Sequence, residues 1–466
     1  MMKHLNLIPL LLITLLFSCQ PPDTTKTSDK PNFVVIFCDD LGYGDLGTYG
    51  HPTILTPNLD QMATEGQKWT NFYVAASVCT PSRAALMTGR YPVRNGMCSD
   101  KSRVLFPNSV NGLPAEEITV AEALKELGYQ TAAIGKWHLG HKEQFLPTNN
   151  GFDSYFGIPY SNDMDAQTEG HGYWEFADTI PTRYYNVPLM KDTEIIERPA
   201  EQHTITKRYS QAAVDYIKTH KEEPFFIYLA HNLPHIPLFT SEDFAGSSPR
   251  GLYGDVIQEI DDGVGKILRT LKDEGLAENT MVIFTSDNGP WRVFRSHGGS
   301  AGLLRGGKGN TWEAGMRVPG IFWWPGKIKP GIQTDLGSTL DIFTTLVSMA
   351  GGEIPKDRII DGLDLTATLL EGKESPRDHL FYYRGTEIYA ARLGDYKAHY
   401  TIQGSYGMWE KKEKLDTPLL FNLSVDPSEE WNIYGDNTEM VAKIDALIEK
   451  HRQDLVPGAD MLADRE

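Results

Sequence analysis

One pattern recurs along this chain and narrows the folds open to it more than any other. A short, continuous apolar run, rich in β-branched or aromatic residues, stops abruptly at a polar cluster and gives way to a helical pattern. The clearest runs are 32–38, 131–134, 224–230 and 280–285, with 318–324 as a further one. A strand that is apolar on both faces must be covered on both. Such runs alternating with helices therefore predict an α/β fold, a large and mostly parallel sheet sandwiched by helices. Segments 56–66, 115–128, 209–220 and 251–275 read as the helices, the first opening on Thr-Pro and closing at a glycine. The last holds Ile257, Ile260, Val264 and Ile267 at helical spacing. Its acids Glu259, Asp261 and Asp262 read as solvated or structural groups rather than metal ligands.

Near 355 the texture changes, with Gly351-Gly352 and Pro355. Alternating segments follow at 380–383, 388–393 and 396–400, with Gly394-Asp395 as a hairpin turn, then a strand at 418–423 and a closing helix at 437–451. The expected division is a catalytic α/β unit over 31–355 and a smaller α+β unit, an antiparallel sheet plus a helix, over 356–466. Residues 1–18 carry Lys3 and then an apolar stretch that is short for a membrane span and suited to a signal peptide. The Leu-Phe-Ser-Cys that ends it resembles a bacterial lipobox. It implies a lipid on Cys19, a tether over 19–30, and an exported lipoprotein of the periplasm or cell surface, touching the membrane only through that anchor. The cysteines, at 19, 38, 79 and 98, are too few for a disulfide framework in an exported chain of this size, although a Cys79–Cys98 bridge is open. A net charge of −18 argues against a nucleic-acid partner.

In open α/β sheets, ligands bind at the carboxyl ends of the strands. Here the runs end in Asp39-Asp40, in Lys136-Trp137-His138, in the segment from His231 to His235, and in Asp287-Asn288. Adjacent carboxylates repel unless a cation neutralises them. With Asp287 and Asn288 they offer hard oxygen donors, which suit Ca²⁺ or Mg²⁺ and not zinc. Helix-capping and turn roles are the alternatives for these pairs. Cys79, in Val78-Cys79-Thr80-Pro81-Ser82-Arg83, precedes a helical run, with Pro81 in the first turn. A helix N-terminus favours an anion, and Arg83 would add charge, so this position supports a low-pKa thiolate nucleophile.

Cys-Thr-Pro-Ser-Arg, continued to Arg90, resembles the signature of formylglycine-dependent (type I) sulfatases of the alkaline phosphatase superfamily. The resemblance extends through 39–45, 135–140, 234–237, 286–289 and 306–315 and covers roughly 31–455; it is greatest to the arylsulfatase A and N-acetylgalactosamine-6-sulfatase type. It implies hydrolysis of sulfate esters. Cys79 would be oxidised to formylglycine by a maturase, and its hydrate would bind one Ca²⁺ with Asp39, Asp40, Asp287 and Asn288. Lys136 and Lys308 would hold the sulfate, Arg83 would steady the formylglycine oxygens, His235 would protonate the leaving alkoxide, and His138 would take a proton from the second hydroxyl. With the chain so acidic, sulfate must be met by such local cations.

The sequence departs from the family pattern at Ala314, where a glycine is common, a change expected to be tolerated. Segments 145–200 and 291–300 are expected to shape the leaving-group subsite, with His171, Trp291, Arg292, Arg295 and His297 as sugar contacts and His231 as a less secure one. Sulfated oligo- or polysaccharides are the expected substrates; sugar, position and oligomeric state are not legible. A phosphate or phosphonate monoester hydrolase of the same superfamily and an inactive glycan-binding lipoprotein are the alternatives; the set Lys136, His138 and Lys308 argues for sulfate.

Overall fold

The computed structural model describes residues 30–166, 184–406 and 411–466. The expected signal peptide, all but the last residue of the tether, and His171 lie outside them. A ten-stranded sheet is built from β1 (Asn32–Cys38), β2 (Gln67–Tyr73), β3 (Gln130–Gly135), β4 (Ser154–Gly157), β5 (Leu189–Lys191), β6 (Glu194–Glu197), β7 (Phe225–Ala230), β8 (Thr280–Ser286), β9 (Arg317–Trp323) and β10 (Gly331–Ser338). Its order is β10-β2-β9-β8-β1-β7-β3-β4-β5-β6. The four clearest expected runs, β8, β1, β7 and β3, form its centre and are parallel, and β4, which no expected run covered, continues the parallel set. The run at 318–324 forms β9, fully buried as its composition requires but antiparallel to both neighbours. Two apolar faces report burial on both sides and say nothing of direction.

Alternate residues of β1 feed two cores. Phe33, Val35 and Phe37 pack on one face with the helices Cys79–Thr88, Val120–Glu126 and Leu340–Met349. Val34, Ile36 and Cys38 pack on the other with Pro57–Glu65, Ile205–Thr219 and Leu252–Asp273. The helix expected over 115–128 is confined to Val120–Glu126 because Thr119 and Glu122 form a capping box: the Thr119 hydroxyl accepts the Glu122 N–H at 3.1 Å and the Glu122 carboxylate accepts the Thr119 N–H at 2.7 Å. The acids of the Leu252–Asp273 helix are structural or solvated, as expected. Glu259 accepts from Thr240 and Ser241, Asp261 accepts the Asn58 and Leu59 N–H groups opening the Pro57–Glu65 helix, and Asp262 pairs with Lys266 at the surface.

The second sheet, β11 (His379–Arg384), β12 (Glu387–Leu393), β13 (Tyr396–Ile402) and β14 (Glu413–Asn422), is antiparallel in that order. Gly394, at φ +55°, makes the expected turn. Leu380, Tyr382, Ala390 and Leu420, with Val441 and Ile444 of the Thr438–Gln453 helix, join the core on the Cys79–Thr88 side, so this sheet is packed against the large one. Cys38, Cys79 and Cys98 are free thiols, so no Cys79–Cys98 bridge forms. No helix among the described residues is long and apolar enough to cross a membrane.

His451 of the last helix stacks on Phe381 with ring centroids 4.0 Å apart, and its Nε2 lies 2.7 Å from the Tyr383 hydroxyl. Burial, then Arg94, lowers its pKa to about 4. The unfolded chain, with an ordinary histidine pKa of about 6.5, therefore binds more protons between pH 6.5 and 4, and stability falls on acidification through that window. Melting temperatures across pH 7 to 4 are expected to drop less steeply in His451→Gln than in the wild type. Parallel curves would remove His451 as a cause.

Candidate active site

The central strands end in register, with Cys38 opposite Ser286 and Gly135 opposite Ala230. Backbone bonds carry the alignment one residue further: Asp287 N–H donates to Cys38 at 2.9 Å and Lys136 N–H to Ala230 at 2.7 Å. Asp39, Lys136 and Asp287 thus leave the sheet along one edge. Gly135 has φ +107°, and a Cβ there would lie 1.9 Å from the Ala230 oxygen, so only glycine lets the chain turn here. Asp40 and His138, at φ +63° and +60°, are held in the left-handed region, a strain that tends to collect at functional sites.

Cys79 opens the Cys79–Thr88 helix as expected. Its Sγ lies 3.4 Å from Asp39 Oδ1 and 3.4 Å from Lys308 Nζ. The low-pKa thiolate expected from the helix terminus is not what forms. Burial, reinforced by the Asp39 carboxylate, pushes the thiol well above its ordinary range and outweighs Lys136 and Lys308.

Around it, carboxylates and cations interleave. Lys308 Nζ donates to both oxygens of Asp40 at 2.7 and 2.9 Å, and Lys136 Nζ donates to Asp39 and, at 3.1 Å, to Ser161. Arg83 is fully buried and grips Asp287 Oδ2 through two nitrogens at 3.1 and 2.8 Å while donating to the Lys136 carbonyl at 3.0 Å. Burial opposes ionisation of Asp39, yet Lys136, His235, Arg83 and Lys308 together hold its carboxyl well below the usual range.

The two histidines differ. His138 Nε2 lies 2.9 Å from the Leu105 carbonyl and must carry the proton, which leaves Nδ1, buried and without a hydrogen-bond partner, as a free base. Burial and Lys136 hold its pKa well below the ordinary value. His235 Nδ1 faces the Ile236 carbonyl, which turns Nε2 toward Asp40 at 3.6 Å. Burial and Lys308 lower its pKa, against Asp40 and Asp39.

Ligand atoms of Asp39, Asp40, Cys79 and His235 all lie within 4.8 Å of one another. Asn288 Nδ2 donates to Asp40 Oδ1 at 2.6 Å, while its own Oδ1 is buried with no hydrogen-bond partner. The donor set suits a hard divalent cation: buried carboxylates, now shared with ammonium groups, and an amide oxygen with nothing to bind.

Of the expected sugar contacts, Trp291 lines the cavity over Cys79, together with His138, His235 and Lys308. His231 is fully buried and outside that lining, and Arg292 lines a neighbouring cavity of about 450 Å³. Arg295 is exposed and His297 half-buried, both apart from the lining. Ser161 and Asp163, from the 145–200 segment expected to shape the subsite, also line the cavity, as do Arg103 and Tyr406, which sequence reasoning missed because they lie in loops outside any motif. Ala314 is fully buried in a small cluster with Ala301 and Leu304.

Residues 31–352 match the Sulfatase family and 375–466 match the C-terminal region of aryl-sulfatase. The chain belongs to the sulfatase family, and it is an enzyme that hydrolyses sulfate esters. It is 43% identical to human arylsulfatase A over 432 residues, covering 87% of this chain and 83% of that protein. Rat N-acetylgalactosamine-6-sulfatase is 40% identical over 471 residues, 93% of this chain and 87% of that one. A solved Bacteroides thetaiotaomicron sulfatase, described under the metabolism of multiple glycosaminoglycans, superposes with a TM-score of 0.78 at 31% identity, over 91% of this chain and all of its own.

Proposed function

We propose that the chain is a calcium-dependent sulfatase of sulfated oligo- or polysaccharides whose nucleophile is formylglycine made from Cys79 by a maturase. The observation that carries this reading is the meeting of Cys79 with Asp39 and Lys308 in one buried site. Asp39, Asp40, Asp287 and Asn288 would hold Ca²⁺, which would supply electrophilic charge favouring an ionised nucleophile and offsetting charge on sulfate.

The rest falls to the chain. Lys136 and Lys308, whose ammonium groups meet Asp39 and Asp40 at the site, are the cations placed to grip sulfate oxygens. Arg83 fixes Asp287 and the Lys136 backbone, and so positions both the metal ligands and a sulfate-binding residue. His235, with Nδ1–H held by the Ile236 carbonyl, donates from Nε2 as the imidazolium, the form that the Asp40 and Asp39 carboxylates favour, and that proton goes to the departing alkoxide, a poor leaving group without one. His138 Nδ1 accepts the proton released when the aldehyde is regenerated and sulfate departs, which spares the enzyme a direct attack of water on the covalent sulfate.

The catalytic unit is 31–355; the 356–466 unit completes the site, since the Ser405 hydroxyl donates to the Lys308 carbonyl and Tyr406 lines the cavity. Export, with Cys19 as lipid anchor, places such an enzyme where polysaccharides are met. The likeness to a sulfatase described with glycosaminoglycan metabolism supports the substrate class.

Matured enzyme assayed in parallel on 4-nitrophenyl sulfate and 4-nitrophenyl phosphate is expected to prefer sulfate by at least about a hundredfold in kcat/KM. Preference for phosphate would overturn the reading. Chelation by EGTA is expected to abolish turnover and to lower stability by roughly 3 kcal/mol, the linkage for a ligand held at about a hundred times its Kd. A melting temperature indifferent to EGTA and to added Ca²⁺ would contradict a resident calcium.

A further inference from the structure

We propose that Arg103 binds a second anionic group on the leaving sugar, so that preferred esters carry a carboxylate or another sulfate beside the sulfate removed. The proposal rests on the sulfatase reading of the Cys79 site and narrows its substrate class. Arg103 lines the same cavity as Cys79, His235 and Lys308. Its guanidinium packs against the rings of Tyr406, Trp291 and Phe106, at 5.6, 5.7 and 5.9 Å from their centres. Lys308 Nζ lies 4.4 Å from the centre of the same Trp291 ring, and the His235 ring is 5.5 Å away. One indole therefore spaces Arg103 from the groups that meet the scissile ester.

Arg103 makes no hydrogen bond or ion pair with another described residue. Buried arginines elsewhere do: Arg83 holds Asp287, Arg94 holds Asp361 and Arg377 holds Asp341. In a chain of net charge −18, Arg103 is a half-buried cation in the nucleophile's cavity whose N–H edges no other described residue takes up. Aromatic faces hold the planar group and shed water from it without using its N–H edges. Those edges form the fork that matches a carboxylate or a sulfate. An arginine that merely covers aromatic rings with its stem would instead affect all substrates alike.

The test is steady-state kinetics of the matured full chain on paired esters, for wild type, Arg103→Ala and Arg103→Lys. One pair sets an unsaturated uronate–N-acetylgalactosamine sulfate disaccharide against the N-acetylgalactosamine sulfate alone. The other sets N,6-O-disulfated glucosamine against N-acetylglucosamine 6-sulfate, with 4-nitrophenyl sulfate as the common reference. Within at least one pair the second anion is expected to raise wild-type kcat/KM about 10- to 100-fold, the range of a charge-assisted hydrogen-bonded pair. Arg103→Ala is expected to remove most of that ratio, chiefly through KM, and Arg103→Lys to keep part of it. Because each variant is judged by two substrates on one preparation, a partly unfolded sample does not change the ratio. Loss confined to the first pair identifies the partner as carboxylate, and loss confined to the second identifies it as sulfate. Wild type without such a preference, or a preference that survives in Arg103→Ala, overturns the Arg103 assignment alone. Failure of matured wild type to turn over any of the esters overturns the sulfatase reading with it.

Discussion

Replacing Cys79 by alanine is expected to lower sulfate-ester turnover by roughly 10⁴- to 10⁶-fold, the loss seen when a nucleophile is removed, while leaving the fold intact. The expectation of an intact fold follows from the contacts: Sγ meets Asp39 and Lys308 at 3.4 Å, both of which keep stronger partners in Lys136 and Asp40. The helix that Cys79 opens is held instead by Ala84, Ala85, Leu86 and Met87 in the core. Circular dichroism and thermal melting check the fold, and kcat/KM on 4-nitrophenyl sulfate checks the chemistry. Activity within tenfold of wild type in a folded variant would remove Cys79 from the mechanism.

Lys397→Met is expected to destabilise the protein by about 3–5 kcal/mol, the cost of leaving buried charges unpaired. Lys397 is fully buried on β13, with Glu313 at 2.9 Å and Glu429 at 3.0 Å, both also fully buried. Burial opposes ionisation of Glu313, but Lys397 and Arg317 bring its pKa to about 2, aided by the Tyr73 hydroxyl at 2.5 Å. Glu429 in turn accepts the Glu313 N–H at 2.7 Å and lies 2.7 Å from His399 Nε2. Methionine fills the stem's volume but takes away the ammonium that the two carboxylates share, leaving Glu313 to Arg317 and Tyr73 and Glu429 to His399. Pairing it with Glu313→Gln should restore part of the loss, since one charge then goes with its partner. Denaturant unfolding measures both variants; a loss under about 1 kcal/mol for Lys397→Met would show that the network is not held by that lysine. Because Glu313 follows the segment bearing Lys308, the same variant is expected to raise KM.

Much of the fold was readable because the centre of the sheet advertises itself. Strands β1, β3, β7 and β8 are buried on both faces and spell continuous apolar runs. The strands toward the edges do not. β2 (QKWTNFY) and β10 (GIQTDLGS) mix polar residues with apolar ones because parts of them remain accessible, and β6 is largely exposed. The direction of β9 was hidden for a related reason, since burial on both sides erases the alternation that often marks an antiparallel strand.

The site was legible wherever it sat at a strand end. Asp39, Asp40, Lys136, His138, His235, Asp287 and Asn288 all follow apolar runs, and the structure gathers them around Cys79. Lys308 lies away from such ends and was legible through motif resemblance, whereas Cys79 was legible first from its place at a helix N-terminus and then from the same resemblance. Arg103, Ser161, Asp163 and Tyr406 come from loops, where only the folded chain shows which side chains share a cavity. The thiol's ionisation was misjudged because a helix terminus and an arginine are visible in sequence, whereas burial and a carboxylate 40 positions away are not.

Whether residue 79 acts as formylglycine or as cysteine is read from the mass of the peptide that bears it, from active protein produced with a maturase. Replacement of the thiol by an aldehyde lowers that peptide's mass by about 18 Da, and the modified fraction is expected to rise in proportion to specific activity. Unmodified Cys79 throughout a preparation that turns over sulfate esters at full rate would show that formylglycine is not the nucleophile.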